Sequence, residues 1–301
     1  MITIFSCPKP FRGHINIIQR NAIRSWTLLQ PAPEITLIGE EEGIAQVCLE
    51  FSLHHIHEVE RNEHGTPLVN ALFAEAEKVA RYPLMCYVNT DIIFMSDFLP
   101  AVERALREKP GSLMVGRRWD LDIREPLDFS KNWEAILKTI LSERGKIHLD
   151  TGIDFFVFPK GIWGEIPPFA LGRTVWDNWL IYGIRSQKIP VVDLTEMLIV
   201  VHQDHDYAHY PGGIKALWEG EEAKNNLELA GGYAHAYTLK DTTHRLTKKG
   251  VRRKIFVPVL SYYYRLINLF FINLNLINTG RAQVLLEFPW KFLDKVLKKK
   301  E

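Results

Sequence analysis

Leu84-Met85-Cys86-Tyr87-Val88-Asn89-Thr90-Asp91-Ile92-Ile93-Phe94-Met95 is the stretch whose reading decides the fold. Leu84 to Val88 is an apolar run of strand length, cut by the polar turn Asn89-Thr90-Asp91, and a second apolar run follows from Ile92 to Met95. Upstream, an amphipathic pattern predicts a helix from Pro67 to Ala80 that leads into this strand. Farther back, β-branched runs alternate with helical ones: strand Ile2 to Ser6, helix Asn16 to Leu28, strand Glu34 to Ile38, helix Gly43 to Leu49. That alternation is the grammar of an α/β protein with a largely parallel sheet. Ligands of such sheets collect at the carboxyl ends of the strands, where loops and helix N-termini converge. Cys7-Pro8-Lys9-Pro10, Gly39-Glu40-Glu41 and Asn89-Thr90-Asp91 are predicted to lie there.

Downstream, Ser112 to Val115 reads as a strand running into Gly116-Arg117-Arg118-Trp119-Asp120, and a helix is expected from Trp133 to Arg144. Ile153 to Phe158 reads as a buried strand stopped by Pro159 and Gly161, at which point the sheet is expected to become mixed. Val191 to Val201 supplies a strand pair that ends in His202-Gln203-Asp204-His205-Asp206-Tyr207-Ala208-His209. From Arg245 onward basic residues outnumber acids and alternate with Tyr262-Tyr263-Tyr264 and Phe270-Phe271, a pattern of basic amphipathic helices. The expected organisation is therefore a domain over 1–245 and a basic, aromatic-rich helical extension over 246–301.

With 47% hydrophobic and 24% charged residues in a chain of 301, the composition is that of a globular protein with a sizeable core. A net charge of +1 gives no global reason to expect a nucleic-acid partner. Cys7, Cys48 and Cys86 lack the spacing of a zinc site and read as reduced core thiols. The N-terminus has no basic start or cleavage signal, and the apolar stretch from Phe256 to Ile277 is interrupted by Arg265 and several Asn residues. A cytoplasmic protein without a transmembrane helix is the expectation, with peripheral contact of the C-terminal extension with an anionic membrane as an added possibility.

Chemistry is expected at several places. An acidic turn after a strand can hold a divalent cation against a diphosphate, and Asp91 stands there, although Asp also favours such turns for purely local reasons. His202 directly follows a strand in a segment dense in imidazoles and carboxylates, and with Asp91 would form a mixed oxygen and nitrogen site suited to Mn2+ or Mg2+. Asp177, between Trp176 and Trp179, reads either as a base flanked by platforms for a sugar ring or as a helix cap beside core tryptophans. Asp154, inside an apolar run, needs a partner: an acceptor hydroxyl or an arginine among Arg117, Arg118 and Arg173. Arg24, Arg117 and Arg118 are candidate diphosphate clamps by the fork geometry of guanidinium, although surface arginines are usually solvated. Thr66 and Pro67 stand in the order of a helix cap and first turn, with Asn62, Glu63 and His64 placed for a donor nucleotide.

Thr3-Ile4-Phe5-Ser6-Cys7-Pro8-Lys9-Pro10-Phe11, Gly65-Thr66-Pro67, Tyr87-Val88-Asn89-Thr90-Asp91-Ile92, Gly116 to Asp120, Trp176-Asp177-Asn178-Trp179 and His202 to Tyr207 together resemble a group within the GT-A-fold nucleotide-diphospho-sugar transferases. The resemblance covers roughly 1–245. It implies a Rossmann-like, mixed but mainly parallel sheet flanked by helices. It also implies a glycosyltransferase moving a sugar from a nucleotide-diphosphate donor, UDP-type first, to a carbohydrate or glycolipid hydroxyl, metal-assisted and inverting. Ser6, Pro8, Arg24, Asn89, Thr90 and Arg118 would then bind the nucleotide and diphosphate, Asp91 and His202 the metal, and Asp154, Trp176 and Trp179 the acceptor or sugar. Asp177 would be the general base. The family's usual turn is Asp-x-Asp, and here its first position is Asn89. Two other readings stand beside this one: a non-catalytic nucleotide-sugar-binding scaffold, and a metal-dependent hydrolase built on the histidine cluster.

Overall fold

The computed structural model describes residues 1–205 and 218–254. Thr3–Ser6 (β1), Gly13–Thr27 (α1), Glu34–Ile38 (β2), Ile44–Phe51 (α2) and His54–Ile56 (β3) open the chain in the alternation expected, followed by Val69–Val79 (α3) and Leu84–Val88 (β4). Ile92–Phe94 (β5), Phe98–Glu108 (α4), Leu113–Val115 (β6), Trp119–Leu121 (β7), Trp133–Arg144 (α5), Lys146–Ile147 (β8) and Phe155–Pro159 (β9) form the middle. Trp176–Ser186 (α6), Val191–Asp193 (β10), Val200–Gln203 (β11), Glu221–Leu229 (α7), His244–Thr247 (β12) and Gly250–Arg253 (β13) follow, with short 3-10 turns at Tyr233–His235 and Leu239–Asp241.

A nine-stranded sheet runs in the order β13-β12-β10-β6-β9-β4-β1-β2-β3. β1 lies parallel between β2 and β4, and β10 lies parallel between β6 and β12. β9 is antiparallel to both β4 and β6, so the sheet becomes mixed at the strand where the sequence predicts it. The α/β expectation, with a mainly parallel sheet flanked by helices, is borne out. Because side chains alternate along a strand, the sheet feeds two cores. Ile4, Cys86 and Val88 point to one together with Trp26 of α1 and Phe98 of α4; Phe5, Met85 and Tyr87 point to the other with Phe73 of α3 and Leu180 of α6. A smaller sheet, β5-β11-β7-β8, packs with α5 around a third core of Ile93, Leu121, Leu137 and Val201.

Two local expectations fail. Helix α3 starts at Val69, with Leu68 as its cap and no side-chain cap bond, so Thr66 and Pro67 do not open it. Pro67 instead bridges to Arg61, Leu68 bridges to Ala170, and the Thr66 hydroxyl accepts from Arg173 at 3.1 Å. Cross-chain pairing has overridden a local capping signal. Residues 246–253, grouped by their charge with a helical extension, instead finish a hairpin: β12 and β13 are antiparallel, and their basic side chains lie on the edge of the sheet. The rest of that extension, 255–301, and the positions of Asp206, Tyr207 and His209 lie outside the described residues. Among the described residues no helix is long and apolar enough to cross a membrane, and the stretch 256–277 is not among them.

Candidate active site at the switch point

β1 connects onward to β2 on one side, while β4 lies on its other side, so the strand order reverses between β1 and β4. Reversal opens a crevice at the carboxyl ends of those two strands. Ser6 ends β1 and Thr90 follows β4, and their hydroxyls meet at 2.6 Å while Ser6 is also 2.6 Å from the Val88 carbonyl it donates to. Both are buried, so Ser6 and Thr90 staple the two loops together. Pro8 is buried just beyond.

Asp91 opens from this turn. Its carbonyl accepts from both the backbone and the side-chain nitrogen of Gln203, at 3.2 and 3.1 Å. Gln203 is fully buried, donates also to the Ile18 carbonyl at 2.7 Å, and accepts from Asn21 at 3.0 Å. The end of β11 is thereby clamped to α1 and to the turn. The clamp brings imidazoles to the carboxylate: Asp91 Oδ2 lies 3.8 Å from His202 Nε2 and 3.2 Å from His205 Nε2. Lys9 Nζ, from the β1–α1 loop, is 3.3 Å from the same His205 nitrogen. Burial pushes the Asp91 pKa up, but His202, His205 and Lys9 outweigh it and hold the carboxylate well below its usual range. Burial lowers the Lys9 pKa, an effect Asp91 partly offsets. Asp91 Oδ1 is buried and accepts no hydrogen bond.

Behind His202 stands a second carboxylate. β11 and β7 pair in parallel with His202 opposite Asp120, and His202 Nδ1 lies 3.3 Å from Asp120 Oδ1 and 3.5 Å from Asp204 Oδ1, without an aligned bond to either. Asp120 is held in turn by His148 at 2.6 Å and by Arg118 Nε at 3.0 Å. Burial favours neutral His202, yet Asp91, Asp120 and Asp204 raise its pKa to about 9.

Asp154 resolves toward an arginine: Arg118 donates to its Oδ1 at 2.6 Å, and the Asn89 amide donates to the same oxygen at 2.8 Å. The other oxygen, Oδ2, is buried without a partner. Asp177 lies in the first turn of α6, one residue past its start, so it is neither the cap nor solvent-exposed. Burial raises its pKa to about 7; the Asn178 N–H it accepts from at 2.9 Å pulls the other way, and the negative charge of Asp154 adds to the rise. The cap itself is Val175 at φ 79, a strained conformation for a β-branched residue, held by the burial of its side chain in the second core.

Three sequence-predicted residues are placed otherwise than expected. Trp176 is 5% exposed, packed edge-on against Tyr87 at 5.4 Å and tilted against Phe156, so its ring is core and has no face free for a sugar. Trp179 is half-buried and packs on Phe169 and Tyr182, where it lines a shallow cleft with Trp163 and Gln187. Arg24 is exposed on the last turn of α1 and joins none of these contacts. Conversely, Lys9, Asp120, His148 and His205 belong to the site although the sequence reading does not single them out. Lys9 sits in a loop already placed at a strand end, and His205 in the cluster already noted; Asp120 becomes legible only once β7 and β11 are paired.

No family model matches the chain, and no curated protein matches it. Among solved structures it is similar to the mannosyltransferase PcManGT of Pyrobaculum calidifontis in complex with GDP-Man and Mn2+, with 10% identity and a TM-score of 0.41 over 67% of this chain and 56% of that one. It is also similar to the glucosyl-3-phosphoglycerate synthase of Mycobacterium tuberculosis in complex with Mn2+, UDP and phosphoglyceric acid, with 12% identity and a TM-score of 0.48 over 77% of this chain and 79% of that one. Residues 1–349 of S. aureus TarS are similar at 8% identity and a TM-score of 0.40, over 68% of this chain and 58% of that one. The chain thus spans little more than half the length of the first and third of these structures.

Proposed function

We propose that this protein transfers a sugar from a nucleotide-diphosphate donor to a hydroxyl of a carbohydrate or glycolipid acceptor, with a divalent cation and with inversion. One observation carries the reading. At the switch point of the sheet, Asp91, with one buried and unpartnered oxygen, faces two imidazoles and an ammonium, and a carboxyl with its pKa near 7, Asp177, lies close enough to feel the charge of Asp154, which is bonded to the same turn.

The donor set fits a hard or borderline cation: one carboxylate oxygen and two ring nitrogens converge, and the orphaned Asp91 Oδ1 offers a further ligand atom. Asp91 and His202 would hold Mn2+ or Mg2+, with His205 beside them, and the ion would supply positive charge to the leaving nucleoside diphosphate. The chain's own residues do the rest. Lys9 adds a positive charge for the diphosphate, while Ser6 and Thr90 keep its two loops together. Asp120 orients His202: an Nδ1–H between Asp120 and Asp204 leaves Nε2 facing Asp91. Asp177 accepts the proton of the acceptor hydroxyl as that oxygen bonds to the anomeric carbon. The bond from that carbon to the diphosphate oxygen breaks, and its electron pair leaves with the phosphate. A pKa near 7 leaves a substantial fraction of Asp177 ionised at neutral pH and strong enough to take the proton.

UDP-sugars are the first donors to test. A panel of UDP- and GDP-sugars with Mn2+, read by thermal stabilisation and then by sugar transfer, tests the reading. Transfer lost in both Asp91→Ala and Asp177→Asn, with donor stabilisation lost only in the former, is the expected outcome. Binding without transfer to any acceptor points to a scaffold, and phosphoester hydrolysis without nucleotide to a hydrolase; either result overturns the proposal.

A further inference from the structure

Asn89 stands where a second turn carboxylate would be expected, and the structure gives that asparagine work of its own. In the antiparallel pairing of β4 with β9, Tyr87 faces Phe156 and Val88 faces Phe155, so the next position across the ladder from Asn89 is Asp154. The Asn89 N–H donates to the Asp154 carbonyl at 2.9 Å, which continues the ladder by one residue. Its side chain is used at both ends: Oδ1 accepts from the Tyr87 hydroxyl at 2.8 Å, and Nδ2 donates to Asp154 Oδ1 at 2.8 Å. Asp154 is buried, at 6% residue exposure, and among the described residues the other hydrogen-bond partner of its carboxylate is Arg118. An aspartate at 89 would set two carboxylates directly across a ladder, a pairing that repels even at a surface and more so when buried.

We propose that Asn89 is a positioning residue that locks Asp154, and that this lock commits the turn to a metal site with a single turn carboxylate, Asp91. The amide accepts from a phenol and donates to a carboxylate, so its one oxygen, the only atom that could ligate a cation, is already turned to Tyr87. It aligns Asp154 so that Oδ1 is spent on Asn89 and Arg118 while Oδ2 stays buried without a hydrogen-bond partner. The metal part of this inference rests on the function proposed above; the lock itself does not.

A double-mutant cycle on the full chain tests it, with Asn89→Asp, Asp154→Asn and the swap that combines them. N89D is expected to melt about 5 °C or more below wild type. The swap returns one amide and one carboxylate to the pair, with Asp120 still on Arg118, and is expected to recover much of that loss, or to restore folded protein if N89D alone does not fold. Losses that simply add, or a swap that does not fold, overturn the lock. Mn2+ affinity is read in parallel by electron paramagnetic resonance, without nucleotide. N89D is expected to bind Mn2+ no more tightly than wild type; a gain of about tenfold or more with an unchanged Tm would show a vacated ligand position and overturn the inference. A wild type that binds no Mn2+ overturns the metal assignment under the proposed function, and the cycle then decides the lock on its own.

Discussion

Asp177 is the residue at which charge, burial and chemistry meet most directly. Its folded pKa of about 7 stands above the ordinary 3.8, so between those values the folded state binds more protons than the unfolded chain. Stability attached to this carboxyl is therefore fully present below about pH 4 and is lost as pH rises to about 7. Asp177→Asn removes that dependence: its Tm relative to wild type is expected to climb over this range and level off above it, while transfer falls by about 10²- to 10⁴-fold. Melting curves of both proteins at intervals from pH 4 to 8 check the first part, and single-turnover assays the second. A flat difference across pH would mean that Asp177 titrates normally and is no base. Asp120 acts at one remove. Asp120→Asn removes the negative charge that faces His202 Nδ1 at 3.3 Å and is expected to weaken Mn2+ binding about 10- to 100-fold, read by titration of Mn2+ into the folded variant. These residues were unevenly legible in sequence: Asp91 announces itself by following a strand, Asp177 by its place between two tryptophans near a helix start, and His202 by its histidine-rich segment, although it lies inside β11 and not after it as the sequence suggests, whereas Asp120 has no local mark and acquires its role from a strand pairing that only the folded chain displays.

Among the elements, β11 bears most on the site, because it carries His202 and ends in Gln203, the fully buried amide that ties α1, β11 and the Asp91 turn together. Gln203→Leu keeps the volume but takes the side-chain donor from the Ile18 and Asp91 carbonyls and leaves the Asn21 Nδ2 only its longer bond to the Glu125 carbonyl, which costs about 2–3 kcal/mol. Chemical denaturation is expected to show that loss, with Mn2+ affinity reduced as well, because Asp91 loses one of the two donors on its carbonyl. A stability loss with unchanged Mn2+ affinity would place the clamp outside the site. At this scale the alternation of β1, α1, β2 and α2 was readable because each element has a clear period and a single face to bury. Several short elements were not. β3, β7, β8 and the β12–β13 hairpin are two to four residues long, too short for a period to show, and the basic edge of β12 and β13 carries the same charges that mark an amphipathic helix. The cap expected at Thr66 failed for a related reason, since its hydroxyl is taken by Arg173 from a segment distant in sequence.

For the molecule as a whole, the sheet order and the chemistry point to the same place. The reversal between β1 and β4 opens the crevice, the smaller sheet delivers His202 and His205 to it, and α6 brings Asp177 toward Asp154. No single segment contains the site; it is assembled from strand ends, a helix start and loops between residues 6 and 205, which is why the specificity of the proposed transfer was not written in any one motif. The central claim is that Asp91 joins a divalent cation to a nucleoside diphosphate, and isothermal titration of UDP and GDP, each with and without Mn2+, into wild type and Asp91→Ala tests it most directly. One of the two nucleotides is expected to bind wild type in the presence of Mn2+, about tenfold or more weakly without it, and in Asp91→Ala with no difference between the two conditions. Equal binding with and without Mn2+ in wild type, or an undiminished Mn2+ effect in Asp91→Ala, would contradict the account.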